Sequence, residues 1–177
     1  MKNKEVKRIM KLFNRLTVGA IALVLLAGAS LAEAAPAAPQ PSTSGAAAPC
    51  ALKIDALDSM RYSTNELTIS RSCTSATLTL KHVGRLPKNI MGHNWVLVPT
   101  GDLQTVANAS LRAGPANDYF ADPESKVIAR TALIGGGETA PTITFDASQL
   151  TAGGDYSFVC TFPGHNVMMR GKLVVTD

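Results

Sequence analysis

An all-β Greek-key sandwich or barrel of about eight strands, with one short helical insertion, is the fold class predicted for residues 50–177. Three observations predict it. Short runs alternate apolar and polar side chains with period two, the signature of antiparallel strands buried on one face. Gly135-Gly136-Gly137, Gly153-Gly154 and Pro163-Gly164 punctuate these runs as turns. Only Leu103–Ala113 reads as a helix, and it is short. Many short strands with a single helical insertion close into two packed β layers. Taken in order, Leu67-Thr68-Ile69 opens a strand-like run reaching Arg71. Leu78, Leu80 and His82 share one face of Thr77–Val83, with Thr77, Thr79 and Lys81 on the other. His93, Trp95 and Leu97 share a face, then Ile143 and Phe145, then Tyr156, Phe158 and Cys160, and finally Leu173 and Val175.

The chain has 177 residues, with 17 Lys+Arg against 13 Asp+Glu and a formal charge of +4. That basicity belongs to the N-terminus. Lys2, Lys4, Lys7, Arg8, Lys11 and Arg15 lie before residue 32, offset there only by Glu5, so the remainder carries 11 basic and 12 acidic side chains, a net of −1. A nucleic-acid footprint is excluded, because it needs clustered Lys and Arg on the folded domain. The basic start, the apolar run Leu16–Leu26 and the small residues ending at Ala32 describe a secretory signal peptide over residues 1–32, cleaved near Ala32 or Ala34. The alternative is an uncleaved anchor helix, and Leu16–Ala32 has only the minimum length for it, about 17 residues. Ala29 stands where a lipidated Cys would be required. Residues 33–49, rich in Ala, Pro, Ser and Gly, cannot bury enough surface to order themselves and read as a flexible tether reaching roughly 50 Å if extended. The domain is therefore expected in the periplasm, soluble or tethered, with the membrane touched only through an uncleaved N-terminus.

Three cysteines in an oxidising compartment imply one disulfide and one thiol left over. The sequence alone allows three pairings among Cys50, Cys73 and Cys160. A Cys50–Cys73 bridge would pin the first strand against a neighbour, with a loop contributing about 3–4 kcal/mol in the chain-entropy model. Cys160 differs from the other two in its surroundings. It ends a strand-like run and is followed by Thr161-Phe162-Pro163-Gly164-His165, then by Met168 and Met169. His93 precedes Trp95 upstream, directly after Gly92. A leftover Cys is ordinarily an inert buried thiol. Two imidazoles, a thiolate and a long thioether together are the ligand set of blue-copper electron-transfer sites.

The segments Leu86-Pro87-Lys88-Asn89-Ile90-Met91-Gly92-His93-Asn94-Trp95-Val96-Leu97 and Cys160-Thr161-Phe162-Pro163-Gly164-His165 closely resemble the azurins, bacterial blue-copper proteins of the cupredoxin fold. Lys126-Val127-Ile128-Ala129, Leu133-Ile134-Gly135 and Thr144-Phe145-Asp146 also look like azurin, and the likeness spans about residues 50–177. The resemblance implies an eight-stranded cupredoxin sandwich with Leu103–Ala113 as a helical flap, and Cys50–Cys73 as the disulfide. It implies one Cu(I)/Cu(II) ion, with His93, Cys160 and His165 as equatorial ligands, Met169 axial and the Gly92 carbonyl a weak contact. Asn94 would tie the two ligand-bearing loops together, and the Phe162 N–H would donate to the thiolate. Electrons would pass through the exposed edge of His165 in an apolar patch at Met60, Leu86, Ile90, Met91, Leu111, Phe162, Pro163, Gly164 and Val167. Met168 is expected to pack beside the site and His82 to be a satisfied core histidine, with Trp95 as the core aromatic. Lys88 and Arg85 border the patch. Arg130, Tyr62 and Val98-Pro99 depart from the usual azurin pattern, away from the ligands.

The function expected is single-electron shuttling between redox proteins such as c-type cytochromes and reductases, by a monomer that docks transiently and catalyses nothing itself. A periplasmic copper carrier is the alternative, although an enclosed four-ligand site favours retention of the metal. A copper enzyme would need a second cluster, for which three histidines do not suffice, and a dinuclear centre a second Cys in the ligand loop. Zinc would fit the same ligands and be redox-silent.

Overall fold

The computed structural model describes residues 48–177. The leader expected over 1–32, and the 33–49 tether except its last two residues, lie outside the described residues. Among the described residues no helix is long and apolar enough to cross a membrane.

Among the described residues nine strands form two sheets, in keeping with the expected sandwich of about eight. They are β1 (Ala51–Leu57), β2 (Arg61–Tyr62), β3 (Glu66–Ser70), β4 (Ser75–His82), β5 (Val96–Pro99), β6 (Ala129–Arg130), β7 (Ile143–Asp146), β8 (Tyr156–Val159) and β9 (Arg170–Thr176). One sheet runs β2-β1-β4-β7 and the other β3-β9-β8-β5-β6. The pairs β1·β4 and β3·β9 are parallel, and the rest are antiparallel. Alternation of side chains records which face is buried and carries no information on strand direction, so the sequence missed the two parallel pairs. It also passed over β1, where Leu52, Ile54 and Ala56 point inward between Lys53 and Asp55. The small Ala56 weakens that signal.

β5 departs from the one-faced pattern. Trp95 and Leu97 belong to the main core, while Val96 and Val98 join a second cluster with Leu103, Val106 and Val159. Helix α1 is a single turn at Lys88–Met91, and the second cluster lies under the helix that follows β5. α2 spans Leu103–Ala113, as expected, and buries Leu103, Val106, Ala107 and Ser110 along one face, the spacing of an amphipathic helix. Inside the main core, Phe158 stacks on Trp95 at 5.9 Å and meets Tyr62 edge-on at 5.4 Å.

Cys50 and Cys73 are disulfide-bonded, with Cα atoms 5.7 Å apart and a separation of 23 positions along the chain. The bridge joins the start of β1 to the loop between β3 and β4. A Cys50→Ser/Cys73→Ser double variant is expected to lose about 3 kcal/mol, read as a lowered urea midpoint. An unchanged midpoint would show that the bridge constrains nothing in the unfolded chain.

The register gathers one end of the five-stranded sheet. Val96 faces Val159 across β5·β8, and Val159 faces Arg170 across β8·β9. The residues just beyond those pairs, His93-Asn94-Trp95, Cys160 and Met169, therefore meet at the same end of the sandwich.

Candidate metal centre

His93 sits before β5 in a two-hydrogen-bond bridge with Ile134, each N–H donating to the other's carbonyl at 2.9 Å. Cys160 leaves β8 and donates its backbone N–H to the Met169 carbonyl at 2.9 Å. Gly164, at φ 80°, closes the Pro163-Gly164 turn in the left-handed region and returns the His165 N–H to the Phe162 carbonyl at 3.0 Å. The His165 carbonyl then accepts from Met168 at 3.1 Å and from Met169 at 2.7 Å. Residues 160–169 thus form a tight loop presenting three of the four expected donors.

The donor atoms of His93, Cys160 and His165 lie within 4.8 Å of one another. Cys160 Sγ is 3.6 Å from His165 Nδ1, 3.9 Å from His93 Nδ1 and 3.9 Å from the Gly92 carbonyl oxygen. Met169 is fully buried, whereas Met168 is 54% exposed. Of the two adjacent thioethers, Met169 is the enclosed one. Gly92 is glycine for space, because a Cβ there would lie 2.5 Å from the Lys88 carbonyl and 2.9 Å from the Phe162 ring.

The surroundings set the protonation of the donors. His93 Nε2 faces the Leu57 carbonyl at 3.1 Å. A carbonyl only accepts, so Nε2 carries the hydrogen and Nδ1 offers a lone pair on the side of the sulfur. Burial, with His82 and His165 close by, lowers His93 to about 4. Burial also lowers His165. Both imidazoles are therefore neutral at pH 7. Burial pushes the Cys160 thiol up to about 11, opposed by backbone N–H donation from Asn94 and Phe162. A metal entering here must displace the thiol proton.

A pH dependence follows for the metal-free domain. His93 titrates at about 4 when folded and near 6.5 when unfolded. The unfolded chain therefore takes up this proton first, and stability falls as pH drops through that window, with no further loss from this group below about 4. The thermal midpoint should decline from pH 6.5 to 4, and His93→Gln should flatten the decline. Equal slopes in the two proteins would contradict the assignment.

Asn94 hydrogen-bonds across to the loop that follows Cys160. Its side chain donates to Thr161 Oγ1 at 2.7 Å and accepts the Thr161 N–H at 2.9 Å, tying the two ligand-bearing segments together. Thr161 Oγ1 donates onward to the Tyr119 carbonyl at 2.7 Å, and the Tyr62 hydroxyl donates to the Asn94 carbonyl at 2.5 Å. Leu57, Tyr119 and Thr161 were missed as site residues. Leu57 and Tyr119 act through backbone carbonyls, which carry no side-chain signal, whereas Thr161, adjoining Cys160, was a candidate for a hydroxyl link.

Three expectations need correction. His165 is only 3% exposed, so its edge is nearly covered rather than open. Phe162 is buried, packing on His165 at 4.8 Å and on Tyr119 at 5.2 Å, and does not belong to the surface patch. His82 is half-satisfied: its Nε2 meets Asp58 Oδ1 at 3.0 Å, but its Nδ1 has no partner. Its ring stands edge-on to His93 at 4.4 Å. The rest of the patch is placed at the surface. Leu86, Ile90, Leu111, Val167 and Gly164 are exposed, and Met60, Met91 and Pro163 are half-buried.

A soft thiol sulfur, two neutral imidazoles and an enclosed thioether suit copper or zinc and are unlike the oxygen sites of magnesium or calcium. The comparisons with known proteins agree with that donor chemistry. A family model described as copper binding proteins, plastocyanin/azurin family, matches residues 48–176. The azurin of Pseudomonas chlororaphis is 48% identical over 128 residues, covering 72% of this chain and 99% of its own length. Azurin-1 of Alcaligenes xylosoxydans xylosoxydans is 46% identical over 130 residues, covering 73% of this chain and 100% of its own. A solved structure of the azurin Az-iso2 from Methylomonas sp. strain J superposes with a TM-score of 0.68 at 38% identity, over 72% of this chain and 98% of that one.

Proposed function

Because the chain belongs to the copper-binding plastocyanin/azurin family, we propose that it is a blue-copper electron carrier of the periplasm, with His93, Cys160, His165 and Met169 holding the ion and the Gly92 carbonyl as a weak contact. The observation that carries this reading is the buried convergence of the Cys160 sulfur on two imidazole Nδ1 atoms. When bound, copper supplies one-electron exchange between Cu(I) and Cu(II). The chain's own residues do the rest. The Leu57 carbonyl fixes the tautomer and tilt of His93. The N–H groups of Asn94 and Phe162 stabilise negative charge on the sulfur. The Asn94–Thr161 clamp holds the ligand segments at a fixed separation, so a change of charge at the site moves few atoms. Burial of all four donor side chains leaves no open position for a substrate, which supports a carrier over an enzyme.

The exposed apolar residues beside His165 suit brief docking, since a small apolar face permits fast release. The partners are redox proteins such as c-type cytochromes and reductases, met by a monomer. The Cys50–Cys73 bridge supports an oxidising compartment, and the expected leader supports export. The test is the visible spectrum of the protein after Cu(II) addition. An intense blue band that bleaches with a mild reductant and returns on oxidation is the expected result. Weak absorption with copper lost to a mild chelator would overturn it and favour copper carriage instead.

A further inference from the structure

Beside the apolar face lies a groove of about 560 Å³ lined by Arg61, Tyr62, Asn65, Met168 and Arg170 among others, with no carboxylate in its walls. We infer that the redox partner presents an acid-rimmed port, and that a carboxylate at its rim enters this groove between Arg61 and Arg170 while its apolar centre covers Met168 and Val167. The inference rests on the electron-carrier reading and names the chemistry of the partner.

Both arginines are exposed, and neither joins an ion pair among the described residues. Four of the nine other cations among the described residues are held in ion pairs. Arg71 pairs with Asp177, Lys88 with Asp118, Lys126 with Asp102 and Lys172 with Asp155. The acids at the metal end are likewise occupied. Asp58 accepts from the Arg85 and Leu86 N–H groups and meets His82, Asp118 holds Lys88, and Glu138 accepts the Gly135 N–H. Residues 48–177 contain 11 basic and 11 acidic side chains. Attraction at a distance must then come from where the charges sit rather than from their sum. The strand register sets that placement. Arg170 opens β9 directly after Met169, and Arg61 lies opposite Leu57, whose carbonyl holds His93. Asp146 pairs with Ser75 at the start of β4, the far end from His82.

Two free guanidiniums across a groove match a carboxylate in charge and in their planar donor forks. Rim charges of this kind govern encounter rate and orientation more than final affinity. Arg170 directly follows Met169 and Arg61 lies across the strand pair from Leu57, so a carboxylate seated there would orient the partner over the Met168 side of the site.

The test uses the copper-loaded full chain, reduced and then mixed with an oxidant in a stopped-flow instrument. Hexacyanoferrate(III) serves as the anionic probe and tris(phenanthroline)cobalt(III) as the cationic one. An acidic c-type cytochrome is the protein probe, before and after amidation of its carboxylates. An Arg61→Gln/Arg170→Gln variant should slow the anionic probe roughly 5- to 10-fold at about 10 mM ionic strength and hardly at all at about 1 M, where screening is near 3 Å. The cationic probe should not slow. The acidic cytochrome should slow with the variant, and its amidated form should show no difference between the two proteins. Equal rates for variant and parent with the anionic probe, equal slowing of both small probes, or insensitivity to amidation would each overturn the inference. Loss of binding to anionic lipid vesicles with unchanged oxidation rates would also overturn it and assign the arginines to a membrane surface. Failure of the electron-carrier reading is distinguishable, because the unsubstituted protein would then lack the blue band before any oxidant is added.

Discussion

Cys160→Ser is expected to abolish the blue absorption of the copper-loaded protein and to lower copper affinity by on the order of a hundredfold or more. Cys160 is the free cysteine among the described residues and is fully buried. A serine hydroxyl in the same place would not give up its proton, so the site would lose its anionic ligand and its polarisable sulfur together. The fold should survive. The thiol is neutral without metal, being pushed up to about 11, and serine is nearly isosteric with it. The metal-free variant should therefore melt within a few degrees of the parent, which separates loss of a ligand from loss of structure. A blue band persisting in the variant would remove Cys160 from the site.

Phe158→Ala is expected to cost about 3–5 kcal/mol, a large share of the roughly 5–15 kcal/mol that holds a domain folded. The ring is fully buried, stacked on Trp95 and edge-on to Tyr62. Its neighbours are built around it. A Cβ on Gly171 would lie 2.3 Å from Phe158 Cζ, so the facing strand gives up a side chain to seat the ring. The surrounding β-structure cannot collapse into the vacated volume without shifting the β8·β9 register, so the cavity should persist. Urea denaturation of metal-free protein reads the loss. A change under 1 kcal/mol would mean that the core relaxes around the gap. Copper binding should weaken less than stability, because Phe158 supplies none of the donor atoms.

The two sheets were legible wherever one strand face was apolar, as at Leu78-Leu80-His82 and Leu173-Val175. α2 was legible to the residue because Leu103, Val106, Ala107 and Ser110 fall on one helical face. The four candidate donors stood out in the sequence because thiolate, imidazole and thioether at that spacing have few other uses. What escaped was carried by the backbone or by packing. The Leu57 and Tyr119 carbonyls have no residue signature. The near-complete burial of His165 depends on Phe162 folding inward, which the motif does not specify. β5 looked one-faced because the cover over Val96 and Val98 comes from a helix that follows it in the chain. Arg130, one of the departures in sequence, places its guanidinium 4.1 Å over the Phe120 ring and away from the donors.

The position of the disulfide has a consequence for how the chain is oxidised. Cys50 and Cys73 are 23 positions apart, whereas either of them is roughly four to five times farther from Cys160 along the chain. In the unfolded polymer, closing the short loop is favoured over the long ones by about 1.2–1.4 kcal/mol, a bias of roughly tenfold. Chain statistics alone therefore spare the Cys160 thiol before any strand has formed. Once β1 is in place, Cys50 lies at its start and the His93-orienting Leu57 at its end, seven residues away and about 20 Å distant at strand pitch. The folded barrier to thiol–disulfide exchange is then distance, which keeps the buried Cys160 thiol apart from the Cys50–Cys73 bridge.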